Sequence, residues 1–217
     1  MPKQELEKIT NKHLILCEGA DERGFLNNYL YSQAANQYRE IQVVNFGGNQ
    51  ELRNFLALLR VTDGFADLCT LLVIRDAETD AQNASVQIRS ALEKNNFAVP
   101  KRQGEWAEGV PRTCFLLFPY LGKNAEPGTL EDLCLSILAD READNVIGRI
   151  DAFLGALQQE NLRKISHPHK TRLHTYFSIT NDFVTKNIGL AAKAGAFNWN
   201  HPNLDSLKEC LSKMEEE

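Results

Sequence analysis

No apolar run in this chain reaches the roughly 18 residues needed to cross a bilayer, so no membrane span is expected. The opening MPKQELEKIT has no apolar signal core, which points to a cytoplasmic protein. The five cysteines (Cys17, Cys69, Cys114, Cys134, Cys210) form no C-x-x-C pair, so no zinc-binding module is spelled by them. They are odd in number, and Cys17, Cys69 and Cys114 lie inside apolar runs, as reduced, buried thiols do. Basic excess is absent too: 24 Lys and Arg face 29 Asp and Glu, for a net charge of −5. That excludes a dedicated basic nucleic-acid binder, but not an enzyme whose acidic site holds metal. There is no internal repeat and no low-complexity linker. What remains is an ordinary globular composition, 43% hydrophobic and 24% charged, over 217 residues, enough to bury a core without staples.

Short apolar runs alternate with helical patterns through the first two-thirds. The strand candidates are His13–Cys17, Ile41–Phe46, Cys69–Ile74 and Cys114–Phe118. Between them, Phe25, Leu26, Tyr29 and Leu30, then Leu52, Phe55, Leu56 and Leu59, then Val86, Ile88 and Leu92 recur at helical spacing. The order βαβαβαβ predicts an α/β fold with a parallel sheet. Unbroken rather than alternating hydrophobicity predicts strands covered on both faces. This core is assigned to residues 10–125. Residues 126–214 read as a mainly helical extension packed on the same domain, with a capping box at Thr129 and Asp132 that starts a helix near Leu130.

In such a sheet the ligand site lies beyond the carboxyl ends of the strands. Strand one ends at Glu18-Gly19, and strand three ends at Asp76-Ala77-Glu78-Thr79-Asp80. If those strands are neighbours, Glu18 and Asp76 converge. Crowded carboxylates raise each other's pKa values. A hard divalent cation removes that penalty, and Mg²⁺ needs only one or two carboxylates plus a substrate phosphate. A single acidic residue at a strand end is ordinarily a helix cap or a solvated turn; the ordered pair of motifs is what makes the signal specific.

That pair, Leu14-Ile15-Leu16-Cys17-Glu18-Gly19 followed by Leu72-Val73-Ile74-Arg75-Asp76-Ala77-Glu78, resembles the Toprim domain of topoisomerases, bacterial primases and OLD-type nucleases. With Pro127-Gly128-Thr129-Leu130-Glu131-Asp132-Leu133 and Gly189-Leu190-Ala191-Ala192 … Phe197-Asn198-Trp199, nearly the whole chain is similar to small stand-alone bacterial Toprim-like proteins of unknown function. The resemblance implies that Glu18 ligates metal or acts as general acid or base. It implies that Asp76 and Glu78 hold Mg²⁺ (or Mn²⁺), with Asp80 sharing the ligation, and that Glu131 is a further metal ligand. It implies a nuclease acting on DNA or RNA, with a partner ATPase as in OLD-type systems. One departure stands out: the second acidic position is Glu78 where the family has aspartate. A non-catalytic nucleic-acid- or protein-binding module that keeps the fold is the alternative.

Phosphate contacts are sought in residues 161–200, where six Lys or Arg face Asp182 alone, a net charge of +5. Arg163, Lys164, Arg172 and Lys186 are the nucleic-acid-binding candidates, and the resemblance to OLD-type nucleases, with a basic residue late in the chain, makes Lys170 the candidate for a transition-state contact. A solvated positive face is the competing explanation. His167-Pro168-His169 reads as a surface loop rather than a metal site. Gly47-Gly48-Asn49 reads either as a phosphate cradle or as a plain βα turn. The oligomeric state stays open, a homo-oligomer included.

Overall fold

All seven residues of the run Thr70-Leu71-Leu72-Val73-Ile74-Arg75-Asp76 are buried, and they form the inner strand β3. The computed structural model describes residues 8–33, 38, 40–48, 50–119 and 126–215. The first half is β1 (His13–Cys17), α1 (Ala20–Gln33), β2 (Ile41–Asn45), α2 (Leu52–Leu59), β3 (Thr70–Asp76), α3 (Ala81–Lys94) and β4 (Arg112–Phe118). The strands form one parallel sheet in the order β2-β1-β3-β4. Five helices follow: α4 (Leu130–Ser136), α5 (Ala143–Gln159), α6 (Pro168–Ile179), α7 (Ile188–Lys193) and α8 (Asp205–Ser212).

Alternation along each strand sorts side chains to two faces. Ile15, Cys17, Leu72, Ile74, Cys114, Leu116 and Phe118 enter one core with α1 and with residues of α4–α8. Leu14, Leu16, Leu71, Val73, Phe115 and Leu117 enter a second core under α2 and α3. The unbroken apolar runs thus have the two-sided cover expected of them. The strand ends differ from the expected ones. β3 continues past Ile74 through Arg75 and Asp76, whose polarity ends the apolar run but not the ladder. Cys69 stands just before it and is exposed, unlike the other four thiols, which are buried and unbridged.

Two close approaches place α1. Asn28 Nδ2 donates to the carbonyls of Gly24 (2.8 Å) and Gly189 (3.1 Å), tying α1 to α7. Phe25 packs edge-on against Phe118, Phe197 and Trp199, which accounts for the late Phe-Asn-Trp segment as core. Helix α5, by contrast, carries glycine where nothing requires it. A Cβ at the exposed Gly148 would meet no atom within 4 Å. Gly148→Ala is therefore expected to stabilise the protein by about 0.5–1 kcal/mol, since alanine loses less backbone entropy in a helix; thermal melting checks it.

Candidate functional site

β1 and β3 are adjacent, and from β1 the chain proceeds to β2 on one side and later to β3 on the other. Their carboxyl ends therefore flank the crevice where such sheets take ligands. Cys17 pairs in register with Ile74, so Glu18 follows β1 beside the last two residues of β3. The Glu18 carbonyl accepts hydrogen bonds from the amides of both Gly47 (3.1 Å) and Gly48 (3.0 Å). Both glycines have positive φ, 88° and 115°, a conformation costly for other residues. The pair thus braces the Glu18 backbone. Its amides are spent on that carbonyl, so they do not cradle a phosphate, and Asn49 lies outside the described residues.

The Glu-Gly step has a second consequence. A Cβ at Gly19 would lie 2.9 Å from Glu22 Oε2, so the missing side chain makes room for the Glu22 carboxylate. Asp76 closes β3, is 8% exposed, and accepts a hydrogen bond from the Leu130 amide (2.8 Å) at the start of α4. Burial first, then the charge of Glu22, and those of Glu131 and Glu18, push its carboxyl up to about 8; the Leu130 amide opposes them. Burial likewise raises Glu22, its own backbone amide opposes, and Glu18 and Glu131 raise it further. On α4, Asp132 accepts from the Thr129 amide (2.9 Å), the expected capping contact. Glu131 beside it is 4% exposed, with Lys170 Nζ 3.8 Å from its Oε1.

Glu18, Glu22, Asp76, Glu78, Glu131 and Lys170 line one cleft of about 670 Å³, a volume usual for ligand sites. Glu78 is exposed at its rim, with φ +57°. Two backbone hydrogen bonds to Gly128 (2.9 and 2.8 Å) hold it in that uncommon conformation. Asp80 does not join the cleft. Its side chain accepts from the Asn83 amide (2.9 Å) and caps α3, so shared ligation with Asp76 is corrected to a capping role.

The basic candidates separate as well. Arg163, Lys164, Arg172 and Lys186 do not line the cleft. Arg172 forms a bidentate pair with Asp151 (2.7 and 2.9 Å), which neutralises it. Arg163 and Lys164 are exposed between α5 and α6, and Lys186 is half-buried after α6. The expected surface loop at residues 167–169 is instead the start of α6, where His169 Nδ1 meets Asp132 Oδ1 at 2.7 Å.

Glu22, which the sequence did not single out, lines the cleft, and Arg75 lies behind it, lining a separate depression with Leu52, Arg53 and Gln87. Glu22, one helical turn beyond Glu18, had a signal in that i,i+4 spacing. Arg75 had none, because its burial is tertiary. Its side chain is 2% exposed, with Nε 3.8 Å from Glu18 Oε2 and Nη1 donating to Gln87 Oε1 (3.0 Å).

A family model for proteins of unknown function, DUF3226, matches residues 12–216. The chain belongs to that family. Comparison with curated proteins and with solved structures found no match. The DUF3226 match runs from the residue before β1 almost to the end of the chain, so it takes in the cleft and every helix that walls it. Among the described residues, no group of three or more His, Cys, Asp or Glu side chains forms a ready cage for a metal ion. The donors gathered in the cleft are hard carboxylate oxygens, the ligand type Mg²⁺ takes, and burial with neighbouring carboxylates raises two of them, Asp76 and Glu22. No helix among the described residues is long and apolar enough to cross a membrane.

Proposed function

We propose that this DUF3226 protein is a Toprim-like, Mg²⁺-dependent phosphodiester hydrolase, a nuclease acting on DNA or RNA. The observation that carries the reading is the meeting of Glu18 and Asp76, from the tips of neighbouring parallel strands, in one cleft with Glu22, Glu131 and Lys170. Glu22, Asp76 and Glu131 would hold the metal, with Glu78 at the rim. Bound there, Mg²⁺ supplies charge neutralisation at the phosphate and a lowered pKa for water. The protein's own groups do the rest. Asp76, pushed up to about 8, would release its proton where a cation took its place. Glu18, at the end of β1, accepts a proton from the attacking water. The Lys170 ammonium, exposed beside Glu131, meets the charge developing on the phosphate oxygens. Arg163 and Lys164 are left as outlying phosphate contacts.

The test is cleavage of single- and double-stranded DNA and RNA with Mg²⁺ or Mn²⁺. Glu18→Gln and Asp76→Asn are each expected to lose about a hundredfold or more in rate. Equal cleavage by wild type and both variants identifies a contaminant and removes the proposal.

One observation favours a second reading, a binding module without catalysis. Asp76 already caps α4 through Leu130, and Glu18 already faces Arg75, roles that need no metal. In that case calorimetry finds no Mg²⁺ or Mn²⁺ binding at millimolar concentration, while nucleic acid or a protein partner such as an ATPase still binds.

A further inference from the structure

The imidazole of His169 lines the same cleft as Asp76, Glu131 and Lys170. It stands in the first turn of α6, and a residue of α4 holds it there: Nδ1 lies 2.7 Å from Asp132 Oδ1. Both oxygens of Asp132 act as acceptors. Oδ2 takes the amide (2.9 Å) and the hydroxyl (3.3 Å) of Thr129. Oδ1 faces His169 and, at 4.0 Å, Arg172 Nη1, and Arg172 is itself clamped by Asp151. A carboxylate only accepts, so Nδ1 carries the hydrogen of this contact. Among the described residues it is the ring's only hydrogen bond, which leaves Nε2 for proton exchange. The side chain is 43% exposed, so solvent reaches the ring.

Hydrolysis of a phosphodiester expels an alkoxide, which leaves readily only if it is protonated as the bond breaks. The other ionisable side chains lining the cleft are carboxylates, Lys170 and His167. The carboxylates suit a cation, and the ammonium suits the phosphate charge. His167 is exposed, and its ring makes no capping hydrogen bond to α6. Imidazole is the side chain best suited to give a proton near neutral pH. A carboxylate on the far nitrogen fixes its tautomer and direction, and of the two histidines only His169 has that contact among the described residues.

We infer that His169 is the general acid of the cleft and that Asp132 is its positioning residue. The inference rests on the phosphodiester-hydrolase reading of the same cleft. As the oxygen of water bonds to phosphorus, the bond from phosphorus to the leaving bridging oxygen breaks, and its electron pair goes to that oxygen. The proton on Nε2 of the imidazolium moves to it. The ring is left neutral with its hydrogen on Nδ1, the form that Asp132 holds, and it regains a proton from solvent.

The experiment compares, with Mg²⁺ or Mn²⁺, cleavage of an oligonucleotide and of its analogue with sulfur in place of the leaving bridging oxygen, since a thiolate departs without a proton. His169→Gln is expected to lose about a hundredfold on the oxygen substrate and no more than a few-fold on the sulfur one. Asp132→Asn keeps an acceptor for Thr129. It is expected to show the same preference for sulfur and to cost nothing further once His169 is replaced. A readout without metal or turnover is nitrogen NMR of the full chain, in which neutral His169 is expected to be protonated at Nδ1. Should His169→Gln fail to fold by circular dichroism, Asp132→Asn and the NMR tautomer carry the test. Equal losses on the two substrates, or a neutral ring protonated at Nε2, overturn the inference and leave the hydrolase reading standing. No cleavage by wild type overturns both.

Discussion

Asp76→Asn is expected to raise the melting temperature of the metal-free protein at pH 8 and to abolish its response to Mg²⁺ and Mn²⁺. In the folded chain this carboxyl is pushed up to about 8 by burial and by Glu22, Glu131 and Glu18. Unfolded, it titrates near pH 4. Between those values the native state holds a proton that the unfolded state does not. Stability therefore falls as pH rises, by up to about 1.4 kcal/mol per pH unit, until the pH passes the folded value. Glu22, raised for the same reasons, adds to the slope.

Asparagine carries no charge at any pH, and its Oδ1 still accepts from Leu130. The variant is thus expected to gain on the order of 3 kcal/mol over wild type at pH 8, about 6–12 °C in melting temperature for a chain of this size, and to melt with wild type near pH 4. Millimolar Mg²⁺ or Mn²⁺ at pH 8 takes the place of the proton, so it is expected to stabilise wild type and not Asp76→Asn. A wild-type melting temperature that is flat from pH 4 to 8, or a variant that still responds to the cation, would contradict this account of the cleft.

Gly24→Val is expected to be strongly destabilising although it lies outside the cleft. A Cβ at Gly24 would lie 2.9 Å from the Gly189 Cα, and a Cβ at Gly189 would lie 3.1 Å from the Gly24 Cα. The obstructing atoms are backbone, so no rotamer relieves the clash and α1 must part from α7. Helix propensity pulls the other way: alanine gains about 1 kcal/mol over glycine inside a helix. Overpacking costs about 1–3 kcal/mol, and a branched side chain adds crowding. Gly24→Ala is accordingly expected to lose about 1 kcal/mol net, and Gly24→Val about 3 kcal/mol, both opposite in sign to Gly148→Ala.

The effect reaches the cleft, because α1 also carries Glu22. Lifting α1 moves Glu22 relative to Asp76, so Gly24→Val is expected to blunt the cation-induced rise in melting temperature as well. Chemical denaturation and melting with and without Mn²⁺ measure both parts. A Gly24→Val protein as stable as wild type would show that the crossing relaxes without cost.

The acidic positions divide by how local their causes are. Glu18 and Asp76 were legible because an apolar run that stops at a carboxylate marks a strand tip, and in a parallel sheet strand tips share an edge. Glu131 was legible through its neighbours, since Thr129 and Asp132 spell a helix start. Asp80 looked the same as Asp76 from its spacing. Three-dimensional structure separates them, because one residue closes a strand and the other opens a helix. Lys170 and Glu131 are 39 positions apart, and no periodicity connects them.

Hydrophobic periodicity and turn chemistry therefore determined, from the sequence alone, the α/β order, the main helices of the sheet layer and the strand ends where carboxylates stand. Both signals act between near neighbours, within a few residues along the chain. Which charges neutralise one another was decided only by tertiary structure. The pairing of Arg75 with Glu18, the mutual stress of Glu22 and Asp76 and the seating of Lys170 over Glu131 depend on distances between separate elements and on the loss of water around them.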